Sequence, residues 1–118
     1  MMPANTETVL RRFNDVFLSH DPAALGDLVA ADCVIENTVP APDGARHEGR
    51  AACIALWTEI ATTPGTFFEL EDVTVLGERG IIRWRYHWGE SSSVRGVNLM
   101  RVRAGQIVEA QGYVKGGG

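Results

Sequence analysis

The chain is poor in the features that mark several large functional classes. It carries 11 Lys and Arg against 15 Asp and Glu, a formal net charge of −4, so it lacks the positive field that draws a protein to a nucleic-acid backbone or an anionic membrane. Arg79, Arg83, Arg85, Arg95, Arg101 and Arg103 fall close together, but in a strand-rich segment such arginines suit a solvated sheet face or interface ion pairs better than a phosphate track. No apolar run is long enough to span a bilayer, and Met1 to Glu7 show no positive cluster followed by an apolar stretch. A cytoplasmic location is the resulting expectation, with neither nucleic acid nor membrane as partner.

Cysteine is scarce. Cys33 and Cys53 are too few for a disulfide scaffold, and two buried thiols are expected. No His, Cys and carboxylate set has metal spacing, and there is neither a Gly-rich phosphate loop nor a nucleophile elbow. No cofactor is expected. What remains is a chain of 118 residues, 45% hydrophobic and 22% charged, a composition and length suited to one packed domain covering residues 1–118.

Helical signals come first. Val9, Leu10, Phe13, Val16 and Phe17 recur at helical spacing after a possible cap at Asn5 or Thr6. The helix should stop by His20, and Asp21-Pro22 should start a short second helix through Leu25, Leu28 and Val29, closed by Asp32. Cys33 to Thr38 reads as a short strand, Val39 to Gly44 as an exposed loop, and a third helix follows Gly49 with Cys53, Leu56, Trp57 and Ile60 on its apolar face.

Strand signals follow from Thr66 to Leu76, Ile81 to Trp88, Val94 to Val102 and Gln106 to Val114, separated by glycine-containing turns. Helices grouped first and strands later indicate an α+β fold. The expected architecture is a cone-shaped, curved antiparallel sheet, a four-stranded meander plus the short first strand, packed against three helices. Gly116 to Gly118 read as a frayed tail.

The meander's second strand alternates sharply. Ile82, Trp84, Tyr86 and Trp88 share one face, and Arg83, Arg85 and His87 the other. Such an aromatic face is either plain core or the wall of a pocket for an apolar ligand. Small residues on the last strand, Ala110 and Gly112, with Val114, fit either outcome.

The order helix, short Asp-Pro helix, strand, Pro/Gly loop, helix and meander resembles the nuclear transport factor 2-like fold. The stretch Val94 to Val108 is similar to the penultimate hairpin of SnoaL-like and ketosteroid isomerase-like proteins. The resemblance implies a homodimer through the outer sheet face and a pocket for a small apolar molecule. It also aligns Asn37, Phe13 and Asn98 with the base, phenol and acid of ketosteroid isomerases. All three groups differ, and neither Asn37 nor Phe13 can act as a general base. Asn37-Thr38-Val39-Pro40-Ala41-Pro42 also resembles the corresponding segment of limonene epoxide hydrolase-like proteins, although Gly112 stands where their last Asp should be.

The candidate polar residues are therefore Asn37, Asn98 and Tyr86, with Phe13, Phe17, Trp57, Trp84, Trp88 and Met100 as walls. Glu36, Glu109 and Gln111 are expected on the outer face by alternation, reversible by a one-residue bulge. His20 suits a helix end, His47 sits in a loop before the third helix, and His87 faces outward. An isomerase, cyclase or hydrolase acting on a carbonyl or polycyclic compound, a non-catalytic binding protein for an apolar ligand, and a filled structural domain all remain open.

Overall fold

The computed structural model describes residues 5–115; the Gly116 to Gly118 tail lies outside them. Helix α1 spans Thr6–Ser19, where Asn5 Oδ1 accepts from Thr8 N at 2.8 Å and satisfies one of the free amides of the first turn. Its apolar stripe is buried, and His20 ends it in a left-handed conformation with φ 58°. The His20 ring adds a tertiary tie, Nδ1 donating to Ala61 O at 3.0 Å, which is the structural use of a helix-end histidine. Asp21 Oδ1 caps a 3-10 turn, Pro22–Ala24, by accepting from Ala23 N.

Helix α2 is only Leu25–Leu28, and strand β1 begins at once, Val29–Glu36. Asp32 was expected to close the helix and instead lies exposed on β1, paired with Arg103 at 3.0 Å. Val29 carries the correction: its β-branched side chain is fully buried and its backbone pairs with Ile107, so sheet pairing overrides the helical periodicity of Leu25, Leu28 and Val29. Strand β2, Arg46–Glu48, pairs antiparallel with β1; three residues are too few to show alternation in sequence. Helix α3 is Arg50–Thr62, followed by β3 Thr66–Leu76, β4 Arg79–Trp88, β5 Ser92–Arg103 and β6 Gln106–Val114.

The six strands form one sheet in the order β2-β1-β6-β5-β4-β3. The meander is antiparallel as expected, but β1 lies parallel to β6, so the sheet is mixed. Within the meander two positions carry an extra residue, Glu71 on β3 and Val108 on β6, each between consecutive cross-strand pairs, and β1 shifts register against β6 between Val29 and Val34. Bulges of this type add twist and bend the strand, curving the sheet around the helices. The Val108 bulge also explains why both Ile107 and Ala110 face inward, while Glu109 stays outside with its carboxylate 3.3 Å from Arg79.

The two thiols are buried and unpaired with each other; Cys53 Sγ donates to Cys33 O at 3.4 Å. Burial pushes both thiols up from their ordinary range, which leaves them protonated and unreactive. On the outer sheet face Arg79, Arg95, Arg101 and Arg103 have carboxylate partners, whereas Arg85 donates to Ser93 Oγ. Arg95 makes a two-pronged contact with Glu71 at 2.7 and 2.9 Å, and Arg101 lies 3.6 Å from Glu78. No helix among the described residues is long and apolar enough to cross a membrane.

One glycine is required by a close approach. A Cβ on Gly96 would lie 2.5 Å from the ring of the buried Trp84 and 2.6 Å from Tyr113 O, a backbone atom held by the pairing of β5 with β6. Gly96→Ala should therefore cost roughly 1–3 kcal/mol in urea denaturation, the range for overpacking. Gly26→Ala, where a Cβ meets nothing within 4 Å, should be neutral or stabilising by up to about 1 kcal/mol. Equal effects at the two positions would contradict this packing.

Candidate functional site: an apolar cavity with oriented amides

A cavity of about 500 Å³ opens between the inner face of the sheet, α1, α3 and the segment after β1. That is within the range of small-molecule sites. Its position follows from how the sheet is filled. A Cβ on Gly80 would come within 2.3 Å of Leu10 Cδ1, so Leu10 plugs the sheet over the cross-strand row Gly80, Met100 and Ala110. The next inward row is Ile82, Asn98 and Gly112, and all three line the cavity. Past it, Trp84, Tyr86 and Trp88 continue the wall.

Met100 was expected among the walls. It is fully buried and is not a lining residue: it lies beside Gly80, which Leu10 covers, while Ala110 at the other end of that row does reach the cavity. Phe13, Phe17, Trp57, Trp84 and Trp88 do line the cavity, with Phe68 joining them from β3. Edge-on contacts join these rings: Phe13 to Trp57 at 4.7 Å, Phe17 to Phe68 at 5.5 Å and Phe68 to Trp84 at 5.4 Å between centroids. Such pairs contribute beyond their buried area and hold the walls in place. Trp88 is 42% exposed and stands at the mouth.

The polar groups are few. Trp84 Nε1 donates to Asn98 Oδ1 at 3.2 Å. An indole nitrogen only donates, so it must meet the amide oxygen, and Asn98 is fixed with its Nδ2 directed away from Trp84. The indole reaches Asn98 by lying across Gly96, the β5 residue directly opposite Trp84. Asn37 also lines the cavity, its Oδ1 accepting from Thr38 N at 2.8 Å and its backbone N donating to Ala45 O at 2.9 Å. Gly112 lies between the two amides: a Cβ there would be 3.4 Å from Asn98 Oδ1 and 2.9 Å from Thr38 Cγ2. In continuation of the β1 to β6 register, Asn37 and Asn98 are two strand spacings apart, about 10 Å along the sheet. Tyr86 lines the same wall, its ring 4.7 Å from Phe68.

Glu36 and Glu69 border the cavity, but their carboxylates are engaged on the outer face. Glu36 Oε1 accepts from Gln111 Nε2 at 3.0 Å and its Oε2 lies 3.9 Å from Arg46. Glu69 is hydrogen-bonded to His87, whose ring stacks on Phe67. His47 is on β2 opposite Ile35 and is not a lining residue. Among the described residues there is no cluster of three or more potential metal ligands. The cavity thus offers amide and phenol groups in an apolar enclosure, suited to hold a carbonyl or hydroxyl oxygen and to stabilise charge building on it.

Asn14 escaped the sequence reading. It is 9% exposed, lines the cavity, and its Nδ2 has no hydrogen-bond partner among the described residues. Its spacing, four residues after Leu10 and three before Phe17, places it on the buried stripe of α1. Phe68 and Leu70 were likewise readable from the alternation of β3, where they fall on the inner face.

The orienting contact has an energetic signature. In the free protein, Trp84→Phe should cost about 2 kcal/mol, combining a lost hydrogen bond with lost packing, and Asn98→Ala about 1 kcal/mol. The backbone amide spectrum should otherwise be preserved. Urea denaturation and a two-dimensional NMR spectrum check this; a neutral Trp84→Phe would mean the contact is not formed.

A family model for the SnoaL-like domain matches residues 10–110. No curated protein matches the chain. An NTF2-like protein of unknown function from Mesorhizobium loti is 67% identical, with TM-score 0.91, covering 94% of this chain and 91% of that one. A steroid delta-isomerase from Pseudomonas aeruginosa is 17% identical with TM-score 0.80, covering 98% and 82% respectively. A Jannaschia sp. CCS1 protein provisionally designated a SnoaL-like polyketide cyclase is 16% identical with TM-score 0.77, covering 98% and 90%. The last two likenesses show shared fold alone. A match across most of the chain, with the curved sheet and helices already described, places this protein in the SnoaL-like domain family.

Proposed function

We propose that the protein binds a small apolar carbonyl compound in the sheet cavity and polarises its C=O through Asn98 Nδ2. The observation that carries this reading is the Trp84 to Asn98 hydrogen bond, which leaves the amide nitrogen as a pre-oriented donor in an aromatic enclosure. Asn37 and Tyr86 supply further polar contacts, and Phe13, Phe17, Trp57, Trp84 and Trp88 grip the apolar body. A donor fixed before the ligand arrives costs no reorganisation when charge develops on the oxygen.

The outward carboxylates of Glu36 and Glu69 favour binding, or chemistry that needs only carbonyl polarisation, over base-driven isomerisation. An enzyme of the isomerase, cyclase or hydrolase type would have to draw its proton transfers from the substrate or from water, since among the described residues the lining carboxylates turn outward and no histidine lines the cavity. Proteins of the same fold are designated isomerases and cyclases, and that is the second reading.

In melting scans, a steroid ketone such as androst-4-ene-3,17-dione, or the smaller 1-tetralone, should raise the unfolding temperature. Asn98→Ala should weaken binding of the stabilising ketone about tenfold, equivalent to about 1.4 kcal/mol. Proton exchange beside the carbonyl in D2O, followed by NMR, separates the readings: acceleration by the wild type that is lost in Asn98→Ala indicates catalysis, and binding without acceleration indicates a carrier or sensor. Unchanged affinity in Asn98→Ala would overturn the assignment.

The outer sheet face is proposed as the contact with a second copy of the chain. Phe67, Ile81 and Tyr113 are exposed there beside charges of both signs, including Arg95 with Glu71, a composition suited to a self-complementary two-fold contact. Light scattering after gel filtration should give twice the chain mass, and Tyr113→Glu should shift it to the monomer; a monomeric wild type rejects the contact.

A further inference from the structure

Asn14 is the one buried polar residue among those described, and nothing in the protein satisfies its amide nitrogen. Polar side chains in protein interiors are nearly always hydrogen-bonded, so an amide nitrogen left unpaired in a residue that lines a cavity asks for an explanation. Position strengthens the case. Leu10 fills the space over Gly80, and Phe17, two turns further along α1, meets Phe68, whose β4 partner is Tyr86. Helix α1 therefore advances along the sheet in the direction of β4, and Asn14, one turn beyond Leu10, stands over the rows of Ile82 and Trp84. Asn98 belongs to the first of those rows. Asn14 and Asn98 thus both border the cavity, one from the helix and one from the sheet, with Asn14 Nδ2 itself enclosed where it stands.

They differ in freedom. Asn98 is held by the Trp84 indole and offers only its nitrogen. Asn14 has no such restraint; half a turn about its last side-chain bond exchanges Oδ1 and Nδ2 at little steric cost, so it can accept from a hydroxyl or donate to a carbonyl. We infer that Asn14 is a second ligand-contacting residue and that the natural ligand carries two oxygen functions on an otherwise apolar frame: a carbonyl read by Asn98, and a hydroxyl or second carbonyl read by Asn14. This rests on the proposed binding of a carbonyl compound and narrows its class to hydroxyketones and diketones.

A purely structural Asn14 and a ligand-reading Asn14 differ in how stability and binding respond. Replacing a buried, unpaired amide by a similarly sized apolar side chain removes a desolvation cost, so Asn14→Leu should raise the unfolding temperature of the free protein by about 4 °C. The same change should remove selectivity for the second oxygen. The probes are 1-tetralone and its 5-, 6- and 7-hydroxy derivatives, which carry the hydroxyl at different distances from a common ketone, with affinities from isothermal titration calorimetry.

At least one hydroxytetralone should bind the wild type about tenfold tighter than 1-tetralone, and that advantage should vanish in Asn14→Leu while 1-tetralone affinity is kept. Asn14→Ala, which adds no bulk, should lose the same advantage, and Asn98→Ala should weaken all four ligands alike. A hydroxyl advantage that survives in both Asn14 variants overturns the inference, as does loss of 1-tetralone binding in those variants or a lowered unfolding temperature in Asn14→Leu. Should the tetralones bind with no hydroxyl preference, the inference about Asn14 falls while the proposed function stands. Should none of the tetralones bind, both are rejected for this ligand class.

Discussion

The site depends on an indole packed against a glycine. Trp84 reaches Asn98 only because Gly96, directly opposite it on β5, has no Cβ to lift the ring. That one contact sets three things together: it orients a donor, it satisfies the Trp84 nitrogen in a half-buried setting, and it places the ring edge-on to Phe68. The cavity lies beside the point where Leu10 seals the sheet over Gly80; in the next row Gly112 has no side chain and Asn98 is drawn toward Trp84, which leaves Ile82 as the one apolar side chain there. Small residues in adjacent strands thus decide where the inner face is solid and where it is open.

Much of this was legible from residue order. Strand parity on β4 assigned Ile82, Trp84, Tyr86 and Trp88 to the inner face, and the coordinates put all four in the cavity wall. The cap at Asn5, the Asp21-Pro22 restart and the four meander strands carry local chemical signals strong enough to read without tertiary information. Met100 shows where such reading stops. Alternation places it inward, correctly, but whether an inward residue touches a cavity or a plug depends on what α1 lays over it, and no local pattern reports that. Asp32 and Val29 show the same limit from the other direction: the helical spacing was real, and a parallel partner on β6 that arrives some 80 residues later in the chain converts it to strand. Asn14 had a readable position but an unreadable significance, since an asparagine on a buried helical stripe is noticed only once its amide is found without a partner.

Family membership and mechanism separate cleanly here. The fold is shared with proteins designated a steroid isomerase and a cyclase, yet at 17% and 16% identity a shared frame says nothing about which walls are polar. The frame brings residues from β4, β5 and β6, with Asn37 just after β1, to one row of the sheet; the chemistry is set by which side chains stand there. In this chain they are amides and a glycine, and the carboxylates nearest to them are turned outward to Gln111, Arg46 and His87. Recognition of oxygen in an apolar enclosure is what such a row does best, and any acceleration would come from a fixed dipole aimed at a carbonyl.

A crystal structure with a bound ketone, the ligand chosen as the best stabiliser, tests the central claim directly. The account requires the carbonyl oxygen at hydrogen-bonding distance from Asn98 Nδ2, about 2.7–3.2 Å, with the Trp84 to Asn98 bond intact and the carbon frame against Phe68 and Trp57. A ketone seated elsewhere, or one whose arrival turns Asn98 away from Trp84, would contradict it.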